Sequence, residues 1–118
     1  MVNVNRDLTL LLHMLKYTKE ITDLNLIKIT FDDFKSNYVI RNSVSMDIMQ
    51  IGELSTHLSE EYVSKSSKEI NWKAIRGMRN RFAHGYFTMD YKIIYETALN
   101  DIPELQQFLI KEIENNKL

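Results

Sequence analysis

The sequence predicts an all-α protein, an antiparallel bundle of four to five helices, and three observations carry that expectation. Its 118 residues include one proline and three glycines, the two residue types that punctuate helices. Apolar residues recur at three- and four-residue spacing through most of the chain. No repeat, low-complexity stretch or linker interrupts the pattern, so residues 1–118 read as a single domain.

The first helix is expected over about Asn5 to Asp23. Leu8, Leu11, Leu12 and Leu15 form one apolar stripe; Leu10, Met14, Tyr17 and Ile21 form a second beside it. That surface is wider than one packing partner uses, so it is assigned to a core and to a subunit interface together. Asn25 to Thr30 reads as a connector, with Thr30 or Asp32 available as a cap. A long second helix is expected over about Phe34 to Tyr62, on the recurrence of Val44, Ile48, Ile51, Leu54, Leu58 and Tyr62. Gly52 sits inside it at a cost of ~1 kcal/mol relative to alanine, which a close helix–helix contact would offset.

Ser64 to Glu69 reads as a polar, flexible loop. A third helix is expected over about Trp72 to His84, burying Ile75, Met78 and Phe82, with Trp72 as a hydrophobic staple at its entry. The last helical region begins near Asp90 or Tyr91 and is expected to break around Asn100 to Pro103. There Asp101 and Glu104 have the spacing of a capping box, with proline in the first turn. Leu105, Phe108, Leu109 and Ile113 carry its apolar side, and the tail from Asn115 to Leu118 is expected to fray.

Composition narrows the functional classes. The net charge of −1 argues against a bulk polyelectrolyte binder, so any nucleic-acid contact has to come from a patch. The absence of cysteine excludes disulfides, thiolate metal sites and cysteine nucleophiles, and suits a reducing, cytoplasmic setting. No apolar run approaches the ~20 residues of a membrane span, and the N-terminus is not a signal peptide. There is no HExxH, no phosphate-binding glycine loop and no metal-ligand cluster, so no metal or cofactor is expected.

The chemistry concentrates in Arg79-Asn80-Arg81-Phe82-Ala83-His84-Gly85-Tyr86. Arginine grips a phosphate through a bidentate, charge-assisted contact. Histidine is the side chain suited to moving a proton near neutral pH. From Ile70 to Met89 the chain carries Lys73, Arg76, Arg79 and Arg81 and no acidic residue, so the positive island is local. At ~100° per residue, Lys73, Arg76, Asn80 and His84 share one helix face, with Arg79 at its edge. Lys73, Arg76 and Arg81 are candidates for steering phosphates; the ordinary alternative is a solvated face. Gly85 suits a left-handed C-terminal position.

Cutting RNA without a metal needs a base for the 2′-OH, a cation for the phosphorane and an acid for the leaving 5′-oxygen. One histidine does not serve as base and acid at once. A symmetric dimer would bring two copies of Arg79 and His84 to one cleft, in agreement with the wide first helix. His13 and His57 read as structural or surface residues. Asp32-Asp33 and Glu60-Glu61 diverge by ~100° on a helix and make no shared acid–base site.

The spacing Arg79-(four residues)-His84-x-Tyr86 resembles the R-x4-H-x-Y signature of the HepT toxins, members of the HEPN superfamily of small helical domains. The segment Met46 to Glu53, ending Ile-Gly-Glu, resembles the family's long helix. Asn71 to Asn80 resembles its Trp-containing approach to the motif, and Asp90 with Asp101 to Leu105 fits its final helices. The resemblance covers most of the chain. It implies a metal-independent ribonuclease, active as a homodimer with the motif at a composite cleft. Arg79 would polarise the scissile phosphate, His84 would be the general acid/base, and Asn80 would orient one of them. It also implies a partner, a small nucleotidyltransferase antitoxin of the MntA type. That partner would transfer AMP from ATP onto Tyr86 and block the positive pocket by charge, within an assembly that could exceed a dimer. The rival reading is a non-catalytic module, in which the same cleft binds a nucleotide or scaffolds a nucleotidyltransferase.

Overall fold

A computed structural model describes residues 4–85 and 90–116, the side chains of Val4 and Asn5 excepted. Tyr86 and the expected fraying at 117–118 lie outside the described residues. The described chain is all-α. Its helices are α1 (Val4–Asp23), α2 (Phe31–Ser36), α3 (Tyr38–Ser55), α4 (Glu60–Ser66), α5 (Trp72–Gly85), α6 (Tyr91–Glu96) and α7 (Ile102–Asn115). A 3-10 turn (Leu26–Lys28) and a π-helical turn (Thr97–Asp101) complete it.

The long helix expected from Phe34 to Tyr62 falls in three helices, and capping explains both breaks, the first locally and the second with help from a distant residue. Asn37 leaves helical geometry and its side-chain oxygen accepts from the Val39 and Ile40 amides, which starts α3 afresh. Ser59 caps α4 through the Tyr62 amide. Ser59 is itself fixed by Asp7 of α1, whose carboxylate accepts from the Ser59 amide at 2.9 Å and the hydroxyl at 2.6 Å. Asp7 is buried by this tether. Much of the expected loop at Ser64 to Glu69 is therefore helix or the turn closing it.

The core is built by α1 packing on α3 and α7, and by α3 packing on α5, with α2 closing against α3 and α6. Met14, Ile21, Phe34, Val44, Ile51, Ile94 and Leu109 have essentially no exposed surface. Trp72 is the first residue of α5 rather than a staple before it. It is buried among Tyr62 and Phe108, and its ring N–H donates to Ser66 Oγ at 2.8 Å. Asn71 supplies the cap, accepting from the Ala74 amide at 3.0 Å.

The expected break near Pro103 is absent. The chain passes from α6 to α7 through the π-helical turn with Asp101 still in helical geometry, so its side chain makes no cap bond. Pro103 sits in the first turn of α7, directly after the π-helical turn. On α1, Leu12 is 42% exposed, and Met46 of α3 is 52% exposed, so part of the apolar surface is left outside the core. Beside Met46, burial raises the Asp47 carboxyl to about 7, helped by a hydrogen bond to Glu20 of α1 and its charge, with Lys16 opposing.

Candidate active site

All the described motif residues ride on α5, which holds one helical course from Trp72 to Gly85. Gly85 closes that course as a helical residue; no described glycine has positive φ. Five residues on a helix span ~7.5 Å along the axis and ~140° around it, so Arg79 and His84 leave α5 in different directions. Arg79 faces α3, and His84 stands exposed in the last turn.

Arg79 is held by two side chains. Its Nε donates to Glu53 Oε1 of α3 at 2.7 Å, and its Nη1 donates to Asn80 Oδ1 at 3.1 Å. The second Glu53 oxygen lies 3.3 Å from Nε2 of His57, in the turn that follows α3. These contacts form a row His57–Glu53–Arg79–Asn80 that crosses from α3 to α5. Bonding to Arg79, and then to His57, holds the Glu53 carboxyl below its ordinary value against a smaller cost of burial.

Gly52 makes this crossing possible. A Cβ at Gly52 would lie 2.6 Å from Arg79 Cβ, 3.0 Å from the Ile75 carbonyl oxygen and 3.2 Å from Arg79 Cα. The two backbones therefore meet where only glycine fits. The close contact expected from a glycine in mid-helix is present, and it falls under the motif arginine.

The other basic candidates separate. Arg76 donates through Nε and Nη2 to the Ser55 carbonyl, at 3.1 and 2.9 Å, and so ties down the C-terminal end of α3. Arg76, Lys73 and Asn80 also line one shallow cleft of about 650 Å³ beside Trp72. Arg81 lies across the helix, on the rim of an apolar groove of about 720 Å³ floored by Ile48, Ile51, Met78 and Leu105. The structure thus joins Arg79 to Asn80, and Asn80 to Lys73 and Arg76. It sets Arg81 apart and leaves His84 to face outward.

Glu53 and His57 were not singled out from the sequence as site residues. Their i, i+4 spacing put them on one face, but only the α3–α5 approach reveals that this face meets Arg79. His13 is exposed, as expected of a surface residue. Among the described residues no three His, Asp or Glu side chains converge as a metal-binding group, and no helix is long and apolar enough to cross a membrane.

Comparison with known proteins gives a consistent picture. A family model described as "Ribonuclease HepT-like" matches residues 14–112. A protein of Caldanaerobacter subterraneus subsp. tengcongensis named as a candidate RNase is 41% identical over 85 residues, covering 72% of this chain and 74% of its own. A candidate RNase of Methanocaldococcus jannaschii is 31% identical over 114 residues, covering 92% of both chains. The "Probable ribonuclease HepT" of Thermococcus cleftensis is 29% identical over 79 residues, covering 67% of this chain and 71% of its own. No solved structure matches.

Proposed function

The chain belongs to the HepT-like ribonuclease family, and on that premise we propose that it is a metal-independent endoribonuclease toxin whose cleft forms between two copies. The observation that carries the reading is the state of Arg79, held at the α3–α5 contact by Glu53 with Asn80 beside it. A guanidinium anchored in this way is ready to meet a phosphate with little further ordering.

The reaction is an internal transfer. His84 of one copy accepts the 2′-OH proton, and the 2′-oxygen attacks the adjacent phosphorus. Arg79 stabilises the charge of the phosphorane. The bond to the 5′-oxygen breaks as His84 of the other copy gives that oxygen a proton. The products are a 2′,3′-cyclic phosphate and a 5′-hydroxyl. The divergence of Arg79 and His84 on α5 favours a two-copy cleft over a one-copy site. The exposed Leu12 and Met46 supply apolar surface for the second copy.

Regulation falls to Tyr86, two residues past His84. A nucleotidyltransferase antitoxin transfers AMP from ATP to its hydroxyl, releasing pyrophosphate, and the added phosphate pairs with the cations around Arg79. Cytoplasmic RNA is the substrate.

Induced expression without a partner tests the proposal, with wild type, Arg79→Ala, His84→Ala and Tyr86→Phe side by side. Wild type and Tyr86→Phe should arrest growth and leave cyclic-phosphate RNA ends, while the other two should do neither. Four folded proteins that all leave growth and RNA intact would refute the ribonuclease and favour a nucleotide- or partner-binding module.

A further inference from the structure

We infer that Glu53 is a positioning residue for the phosphate-binding Arg79, seated by the glycine before it and steadied by His57; the inference rests on the ribonuclease reading. Arginine has one N–H at Nε and two at each Nη. With Nε on Glu53 and Nη1 on Asn80, the guanidinium plane is fixed at two points. The fork that meets a phosphate is then the Nη pair, and its direction is set before RNA arrives.

A generic surface ion pair does not account for this arrangement. The two side chains are 36% and 41% exposed, and pairs so exposed add little to stability. Yet the helix carries glycine at position 52, where backbone atoms of α5 leave no room for a side chain. The close approach brings Glu53 within 2.7 Å of Arg79 Nε, and His57 holds the far oxygen of the same carboxylate. The geometry serves orientation more than cohesion.

Charge and orientation make opposite contributions, and that gives a signature. Removing the Glu53 carboxylate leaves more net positive charge beside the phosphate, so RNA binding stays level or tightens. It also frees the guanidinium to rotate, and misplacement by ~1 Å can slow a reaction by about 10²-fold. A structural residue, when lost, does not lower kcat while sparing or improving KM in the folded fraction.

The test uses the full chain as wild type, Glu53→Gln and Glu53→Ala, with folded fraction measured by circular dichroism. The substrates are total cellular RNA and a fluorophore–quencher RNA oligonucleotide of mixed sequence. Per folded molecule, kcat should fall roughly 10-fold in the glutamine variant, which keeps one acceptor, and roughly 100-fold in the alanine variant, with KM unchanged or lower. In parallel, the Arg79 Nε–H resonance is followed by nitrogen–proton NMR, assigned by its loss in Arg79→Lys. It should be slow-exchanging in wild type and lost or shifted in Glu53→Ala. An unchanged resonance, or an alanine variant with wild-type kcat, would overturn the positioning role. So would a faster alanine variant, which would make Glu53 a brake. Wild-type protein that cuts neither substrate would instead sink the ribonuclease reading, and the positioning role with it, whatever the resonance shows.

Discussion

Replacing Gly52 with alanine, with Gly77→Ala as its counterpart, tests the α3–α5 contact by one chemical change made twice. Both glycines are helical, so each substitution gains up to ~1 kcal/mol of helix propensity. At Gly77 an added Cβ meets nothing within 4 Å, and the gain should survive. At Gly52 the added Cβ would lie 2.6 Å from Arg79 Cβ, and its next neighbours are backbone atoms of α5. None of these is the tip of a flexible side chain, so the helices themselves must part by roughly 1 Å to reach ordinary contact distance. Overpacking of this kind costs about 1–3 kcal/mol, and a rigid backbone neighbour puts it at the upper end. The net expectation is a loss of roughly 1–2 kcal/mol at Gly52 against a gain of roughly 0.5–1 kcal/mol at Gly77. At this chain length each kcal/mol moves Tm by about 3–6 °C. Thermal melts at one fixed protein concentration are sufficient to read it. The same parting of the helices pulls Arg79 away from Glu53, so RNA cleavage by Gly52→Ala should drop by on the order of 10²-fold. A Gly52→Ala protein as stable as wild type would refute the claim that glycine is required where the backbones meet.

Other expectations follow from the same structure. Ser66→Ala leaves the buried Trp72 N–H without its acceptor, at a cost of about 1–3 kcal/mol in urea unfolding. Arg76→Ala should lower both Tm and RNA affinity, because its guanidinium also holds the Ser55 carbonyl, whereas Lys73→Ala should lower affinity alone in a salt-dependent binding assay. Asp47 ionises near its ordinary 3.8 when unfolded and near 7 when folded. Its contribution to stability is therefore full below about pH 4 and is lost as pH rises through about 7. Asp47→Asn should flatten that part of the stability profile and melt above wild type at pH 8; a profile parallel to wild type would refute the shift.

What the sequence disclosed depended on how far apart the interacting residues lie along the chain. The course of α5 was legible within a residue because its apolar stripe, its cap and its motif are all local. Phe34 to Tyr62 looked like one helix because its periodicity runs on through the breaks. Asn37, a residue as much at home in a loop as in a cap, interrupts it from within. The second break depends on Asp7, 52 residues from Ser59, and no local pattern announces that bond. The same distinction governs the site. Arg79, Asn80 and His84 stood out as candidates by type and spacing. Glu53 and His57 did not, because their meaning comes from the crossing of α3 over α5. Gly52 was the one trace of that crossing, and it marked the place without naming what met there.

The π-helical turn between α6 and α7 acts as a phase adjuster. A turn of this kind holds one residue more than an α-helical turn, so everything beyond it is rotated by about 100° relative to an unbroken α-helix. The setting it gives α7 directs Ile102, Leu105, Leu109 and Ile113 inward. Deleting a single residue such as Asn100 would remove that extra residue, but would leave Pro103, which has no N–H to donate, inside an otherwise regular helix. It would also swing α7 by that same angle, turning part of its apolar stripe away from α1 and bringing polar side chains toward the core. In this segment the length of the chain is itself structural information: a substitution at Asn100 should be mild, and a deletion there should be ruinous.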